Sequence, residues 1–147
     1  MGSIRIEEFV EEAVPDINSL IEVADAEGHS FVCRTLSEWA DATNRFDKPA
    51  ETFLLAYDRD DLVGMGGVNL DPYVSDPQVA RLRHVYVHPE HRGRGIGEQI
   101  VARCLQHAGP LFNLMRLRTP GPDADRFYER LGFQKVDSDS ATHRLRI

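Results

Sequence analysis

The stretch of this 147-residue chain best equipped for chemistry is Arg92-Gly93-Arg94-Gly95-Ile96-Gly97. It lies between an apolar run at Leu82 to Val87 and a helix-period series, Ile96, Ile100, Val101, Cys104, Leu105 and Ala108. A glycine-rich turn that opens a helix leaves successive backbone N–H groups without a carbonyl partner. Those donors, with the positive end of the helix dipole, make a site for a phosphate or pyrophosphate. Glycine also removes the Cβ atoms that would hold such an anion off the backbone. A P-loop would need Gly-x-x-x-x-Gly-Lys-Ser/Thr, and the chain has no Lys-Ser or Lys-Thr pair. A dinucleotide fingerprint would need Gly-x-Gly-x-x-Gly and an acid at the next strand end, whereas the spacing here is Gly-x-Gly-x-Gly and Leu114 to Arg118 carries no acid. A tight glycine turn with no ligand is the plain alternative.

The elements that must position this turn follow from periodicity. Ile4-Arg5-Ile6 with Phe9-Val10 reads as an opening strand, and Pro15 begins a helix carrying Ile17, Leu20, Ile21 and Ala24. Thr35 and Glu38 form a capping-box pattern that predicts a second helix through Trp39, Ala40 and Thr43, closed by Pro49. Thr52 to Tyr57 and Leu62 to Val68 predict a hairpin, with Gly64, Gly66 and Gly67 permitting close backbone approach. Asp71 to Pro77 is a loop, Leu82 to Val87 a central strand, and Gly109-Pro110 ends the helix after the glycine turn. Leu114 to Leu117 is a strand, Ala124, Phe127, Tyr128 and Leu131 mark a short helix stopped at Gly132, and strands near Phe133 to Val136 and Thr142 to Ile147 follow. The expectation is one α/β domain over residues 1–147.

A net charge of −7 argues against nucleic acid, which requires basic surface. Yet Arg81, Arg83, His84, His88, His91, Arg92 and Arg94 crowd one short stretch, as a specific anionic ligand would favour and a solvated basic face would also explain. No apolar run approaches the ~20 residues of a membrane span, and the N-terminus lacks a signal-peptide pattern. Cys33 and Cys104 have no metal-type spacing and fit reduced thiols, so the expectation is a cytoplasmic protein without a metal.

The run from Leu82 to Gly97 closely resembles the acyl-CoA-binding motif of the GNAT N-acetyltransferases, whose Arg/Gln-x-x-Gly-x-Gly/Ala signature is matched at Arg92, Gly95 and Gly97. About thirty residues on, Ala124-x-x-Phe127-Tyr128-x-x-x-Gly132-Phe133 resembles a second family motif, and the glycine hairpin at 64–68 looks familial too. The resemblance covers roughly residues 50 to 136. It implies a mixed, mostly antiparallel, V-splayed sheet of six to seven strands with about four helices, opened between the strands at 82–88 and 114–118. Acetyl-CoA would lie in that opening, its pantetheine arm on the backbone at Val85, Tyr86 and Val87 and its pyrophosphate on Arg92, Gly93, Arg94, Gly95, Ile96 and Gly97. Direct attack by a primary amine, of a small molecule or a protein, would follow, with Tyr128 as general acid because a phenol keeps its proton at neutral pH. A non-catalytic acyl-CoA sensor is the alternative, and the last strand is available to pair across a homodimer.

Two departures from the family pattern stand out. Arg81 and Arg83 occupy positions where many relatives carry a glutamate, and arginine cannot act as a base. Facing the acceptor cleft, they would clamp a carboxylate or phosphate on the substrate; otherwise they are solvated arginines at a strand start. Strand alternation sends the neighbouring His84 to the opposite face. Gly121 stands where relatives often place an asparagine.

Overall fold

A computed structural model describes residues 4–147. The chain runs β1 (Ile4–Glu8), α1 (Val14–Ala26), α2 (Phe31–Ala40), β2 (Thr52–Asp58), β3 (Asp61–Leu70), β4 (Val79–Val87), α3 (Ile96–Ala108), β5 (Leu114–Leu117), α4 (Pro122–Arg130), β6 (Gln134–Lys135) and β7 (His143–Arg146). Seven strands form one sheet in the order β1-β2-β3-β4-β5-β7-β6. All neighbours are antiparallel except β4 and β5, which run parallel because α3 crosses between them. Their pairing lasts three rungs, Val79–Leu114, Ala80–Met115 and Arg81–Arg116. Past that point the strands part, and β4 from Leu82 to Val87 has no neighbour on its β5 side among the described residues. The expected V is this fork.

Each face of the sheet carries its own core. Ile96, Ile100, Val101 and Cys104 of α3 pack with Tyr128 of α4 against Leu54, Val68, Ala80 and Leu82. On the other face Ile17, Leu20 and Ile21 of α1 and Val32 of α2 cover Phe53, Leu55, Met65 and Tyr86. Fully burying an isoleucine such as Ile100 stabilises by about 2 kcal/mol. The hairpin glycines set how closely α3 approaches: a Cβ on Gly66 would stand 2.7 Å from Ile100 Cγ2 and 3.0 Å from Val85 Cγ2.

Two expectations need correction. The second helix begins at Phe31, not near Thr35, and ends at Ala40, nine residues before Pro49. Thr35 is a buried mid-helix residue, and the Glu38 carboxylate points to β4 instead of back to an N-cap. The alternation argument for His84 fails as well. Met65 pairs with Tyr86 but Gly67 with Arg83, so His84 and Val85 together face Gly66. This β-bulge holds His84 at φ +58° and shifts the alternation by one residue. His84 therefore lies on the same face as Arg83, and both reach Glu38.

Candidate functional site

The turn at 92–97 has the conformation that its glycines permit. Gly93 and Gly95 adopt φ +80° and +77°, and Gly95 is the residue that caps α3. No side chain caps the helix, and the first turn-closing bond is from Gln99 N to Gly95 O at 3.1 Å. The N–H groups from Gly93 to Glu98 have no acceptor among the described residues. A Cβ on Gly93 or Gly95 would meet nothing within 4 Å, whereas one on Gly97 would lie 3.2 Å from Phe127 Cζ. Two glycines thus line an open row of donors, and the third permits packing of α3 on α4.

The strand before the turn offers a second row. His88 N donates to Val63 O at 2.8 Å, so by antiparallel alternation the peptide groups of Val87 and Val85 point away from β3, into the fork. Arg92 Nε already donates to Val87 O at 3.0 Å. Tyr86 differs from its neighbours: its ring packs among the α1 and α2 residues and its hydroxyl donates to Glu27, with burial and that carboxylate raising its pKa.

The cationic stretch is not a free basic patch. Arg92 makes a two-pronged pair with Glu27, at 2.7 and 3.1 Å, and holds that carboxyl below its usual pKa. Arg94 pairs with Asp58 at 3.0 Å, Arg83 reaches Glu38 at 3.6 Å and Arg81 reaches Asp71 at 3.6 Å. Each of these arginines is matched by an acid from outside its own element. What remains for an anion at the turn is backbone.

Tyr128 enters from the α3–α4 face. It is buried, edge-on to Phe127 at 4.9 Å and to Phe133 at 5.5 Å. Its hydroxyl has no hydrogen-bond partner among the described residues, and burial, then the nearby Cys104, raises its pKa. The phenol therefore stays protonated at any physiological pH. Cys104 is itself pushed up to about 12 by burial, which leaves an unreactive thiol.

The opposite face carries Arg81, Arg83 and His84, which the sequence had brought to notice, together with Glu38, Asp71 and Arg116, which it had not marked as site residues. Burial, then Arg83 and Arg34, pushes His84 down to about 3, so its imidazole is neutral. Its Nε2 stands 3.6 Å from Glu38 Oε1. At the last paired rung of the fork, Arg81 and Arg116 share the buried Asp71. Long-range folding joins Glu27, Glu38 and Arg116 to β4, Asp71 comes from the loop just before it, and no local pattern marks any of them as a site residue. Among the described residues no group of three His, Cys, Asp or Glu side chains is placed to hold a metal ion, and no helix is long and apolar enough to cross a membrane.

The sequence profile of the acetyltransferase (GNAT) family matches residues 17–133. Mycothiol acetyltransferase of Thermobispora bispora is 33% identical over 108 residues, covering 73% of this chain and 34% of that protein. The chain therefore spans about a third of the length of that relative. A crystal structure from Exiguobacterium sp. 255-15, assigned as an acetyltransferase, superposes with a TM-score of 0.87 at 27% identity, covering 98% of this chain and 93% of the other. The PaiA N-acetyltransferase of Thermoplasma acidophilum, solved in complex with coenzyme A, has a TM-score of 0.70 at 18% identity over 99% of each chain.

Proposed function

Because the chain belongs to the GNAT acetyltransferase family, we propose that it moves an acetyl group from acetyl-CoA to a primary amine by direct attack, the 147 residues acting as one catalytic domain in the cytoplasm. The observation that carries this reading is a pair of open main-chain donor sets, one on the unpaired edge of β4 at Val85 and Val87 and one at the N-terminus of α3 from Gly93 to Glu98. The residues fit the coenzyme: a ladder edge with no partner suits the amides of a pantetheine arm, and the bare N–H groups at Gly93 to Glu98 suit a pyrophosphate. When bound, the coenzyme supplies the acetyl thioester. Its chemical complex with the PaiA enzyme, a protein of this fold, is in keeping with that assignment.

The chain's own groups then divide the work by face. The amide of Val85, on the bulge, points into the fork where an oxyanion forms during acyl transfer. Tyr128 stands on the α3–α4 face and holds its proton until the leaving sulfur needs it. The acceptor approaches from the α1–α2 face, past Glu38, Arg83 and His84. Holding both reactants in the fork replaces a bimolecular encounter by an oriented one.

The test is acetyl-CoA binding followed by acetylation of an amine panel, with Tyr128→Phe as control. Coenzyme binding together with Tyr128-dependent acetylation supports the proposal. Binding with no turnover on any amine points to a sensor of acyl-CoA. No binding by the folded protein overturns the reading at its base.

A further inference from the structure

At the closed end of the fork two guanidinium groups converge on one carboxylate. Arg81 and Arg116 occupy the last paired rung of β4 and β5, and their side chains are 7% and 9% exposed. Arg81 Nη1 lies 3.6 Å and Arg116 Nη1 3.2 Å from Oδ2 of the fully buried Asp71. Arg81 Nη1 is beyond hydrogen-bond reach and Arg116 Nη1, though nearer, makes no such bond, so Arg81 Nη1, Arg116 Nη1 and Asp71 Oδ2 are all sealed from solvent without a hydrogen bond. Two cations against one anion leave a net positive charge in a buried place, and the geometry leaves donors over. Buried charge of that kind is costly unless a further anion completes it.

The surroundings say where that anion enters. Arg116 Nη2 donates to Ser140 Oγ and reaches the exposed Ser138 Oγ at 3.4 Å, so its outer edge is one side chain below the surface. Tyr73, 58% exposed, lies over Arg81 with the guanidinium carbon 4.6 Å from its ring centre. The pair thus sits at the rung where the strands part, beneath the exposed Tyr73 ring and beside Ser138 and Ser140, with the open edge of β4 beginning one residue away.

We propose that Arg81 and Arg116 form a carboxylate subsite and that the acceptor class is a primary amine bearing a carboxylate, its acid end at the fork apex and its amine directed to Val85. This rests on the acetyl-transfer reading above. It also revises the arginine pair expected from sequence: Arg116 takes the place of Arg83, whose partner is Glu38. Planar guanidinium groups suit a carboxylate by paired hydrogen bonds, and a site built for them rejects the neutral amide.

Binding of two product-like acids, N-acetylglycine and N-acetyl-4-aminobutyrate, would be compared with that of their carboxamides by following the arginine side-chain N–H signals in NMR titrations. At least one acid should bind about tenfold more tightly than its amide, shifting the signals of Arg81 and Arg116, and Arg116→Gln should abolish the preference. Arg81→Gln serves if that variant does not fold. Equal binding of acid and amide, or binding of neither to the folded wild type at millimolar concentration, overturns the subsite. A coenzyme A thermal shift on the same sample reports separately on the coenzyme site, so failure of the subsite and failure of the acetyl-transfer reading are distinguishable.

Discussion

Replacing Gly95 separates the two reasons for a glycine at that position. Gly95 has φ +77° and caps α3, and a Cβ there would meet nothing within 4 Å. In Gly95→Ala the stability cost is therefore conformational alone, about 1–2 kcal/mol for a left-handed alanine, or about 4 °C in Tm per kcal/mol for a chain of this size. Asparagine tolerates the left-handed region, so Gly95→Asn should unfold within about 0.5 kcal/mol of the wild type. Both side chains, however, would intrude on the space that the anion-cradle argument gives to the pyrophosphate, and both should then weaken coenzyme A binding at least tenfold. Coenzyme at a hundred times the wild-type Kd stabilises the wild type by about 2.7 kcal/mol, and a tenfold weaker site by about 1.4 kcal/mol at the same concentration. The thermal shift should thus fall by about half in each variant. A Gly95→Asn protein that regained both stability and the full shift would show that the glycine serves the turn and not the ligand. That result would refute the anion-cradle argument.

Tyr128→Phe should lower turnover about 10²–10⁴-fold while leaving coenzyme affinity and stability near wild type, since the hydroxyl has no partner to lose; an unchanged kcat would remove Tyr128 as the acid. Because burial raises the Tyr128 pKa, its deprotonation should not reduce kcat as the pH rises to about 10. His84 titrates near 6.5 when unfolded but at about 3 in the native state. Its contribution is thus complete above pH 6.5 and is lost as pH falls towards 3, because only the unfolded chain takes up the proton. Relative to His84→Asn, which keeps the positive φ, the wild type should lose about 2 kcal/mol between pH 7 and pH 5 in urea unfolding; a constant difference would contradict the assignment of a neutral buried imidazole. Gly66→Ala should cost about 1–3 kcal/mol by overpacking against Ile100 and Val85, measured by the same method, and a neutral result would mean that α3 can retreat from the sheet.

The legible part of this molecule was the part whose instructions are local. Ile96 to Ala108 read as a helix from spacing alone, the turn before it from its glycines, and the strands at 52–57, 62–68 and 114–117 from apolar runs between turn residues. Tyr128 could be placed on a short helix by the same periodicity. The bulge was not legible, because its positive φ falls on histidine and it lies opposite Gly66 on another strand. One inserted residue then moved His84 to the other face. The capping-box pattern at Thr35 and Glu38 misplaced the start of α2 because Glu38 is used against Arg83 and His84. The cationic stretch looked free for the same reason: Glu27 is 65 residues from Arg92 and Asp58 is 36 from Arg94. Charge pairing across such separations is a property of the fold.

The three-rung pairing of β4 with β5 has a mechanical meaning. Strands β1 to β4 form one plate and β5 to β7 another, paired among the described residues at the three rungs Val79–Leu114, Ala80–Met115 and Arg81–Arg116, with Asn113 and Leu114 also donating to Gln78 O. With so few rungs, a small twist about that seam would widen or narrow the fork without breaking one, and a molecule lying along β4 while touching β5 or α4 would stitch the plates together. The Arg81–Asp71–Arg116 cluster sits on the hinge line itself. On the subsite proposal a carboxylate bound there would bridge the two plates at that line, so occupancy of the apex and the width of the mouth would be one mechanical variable.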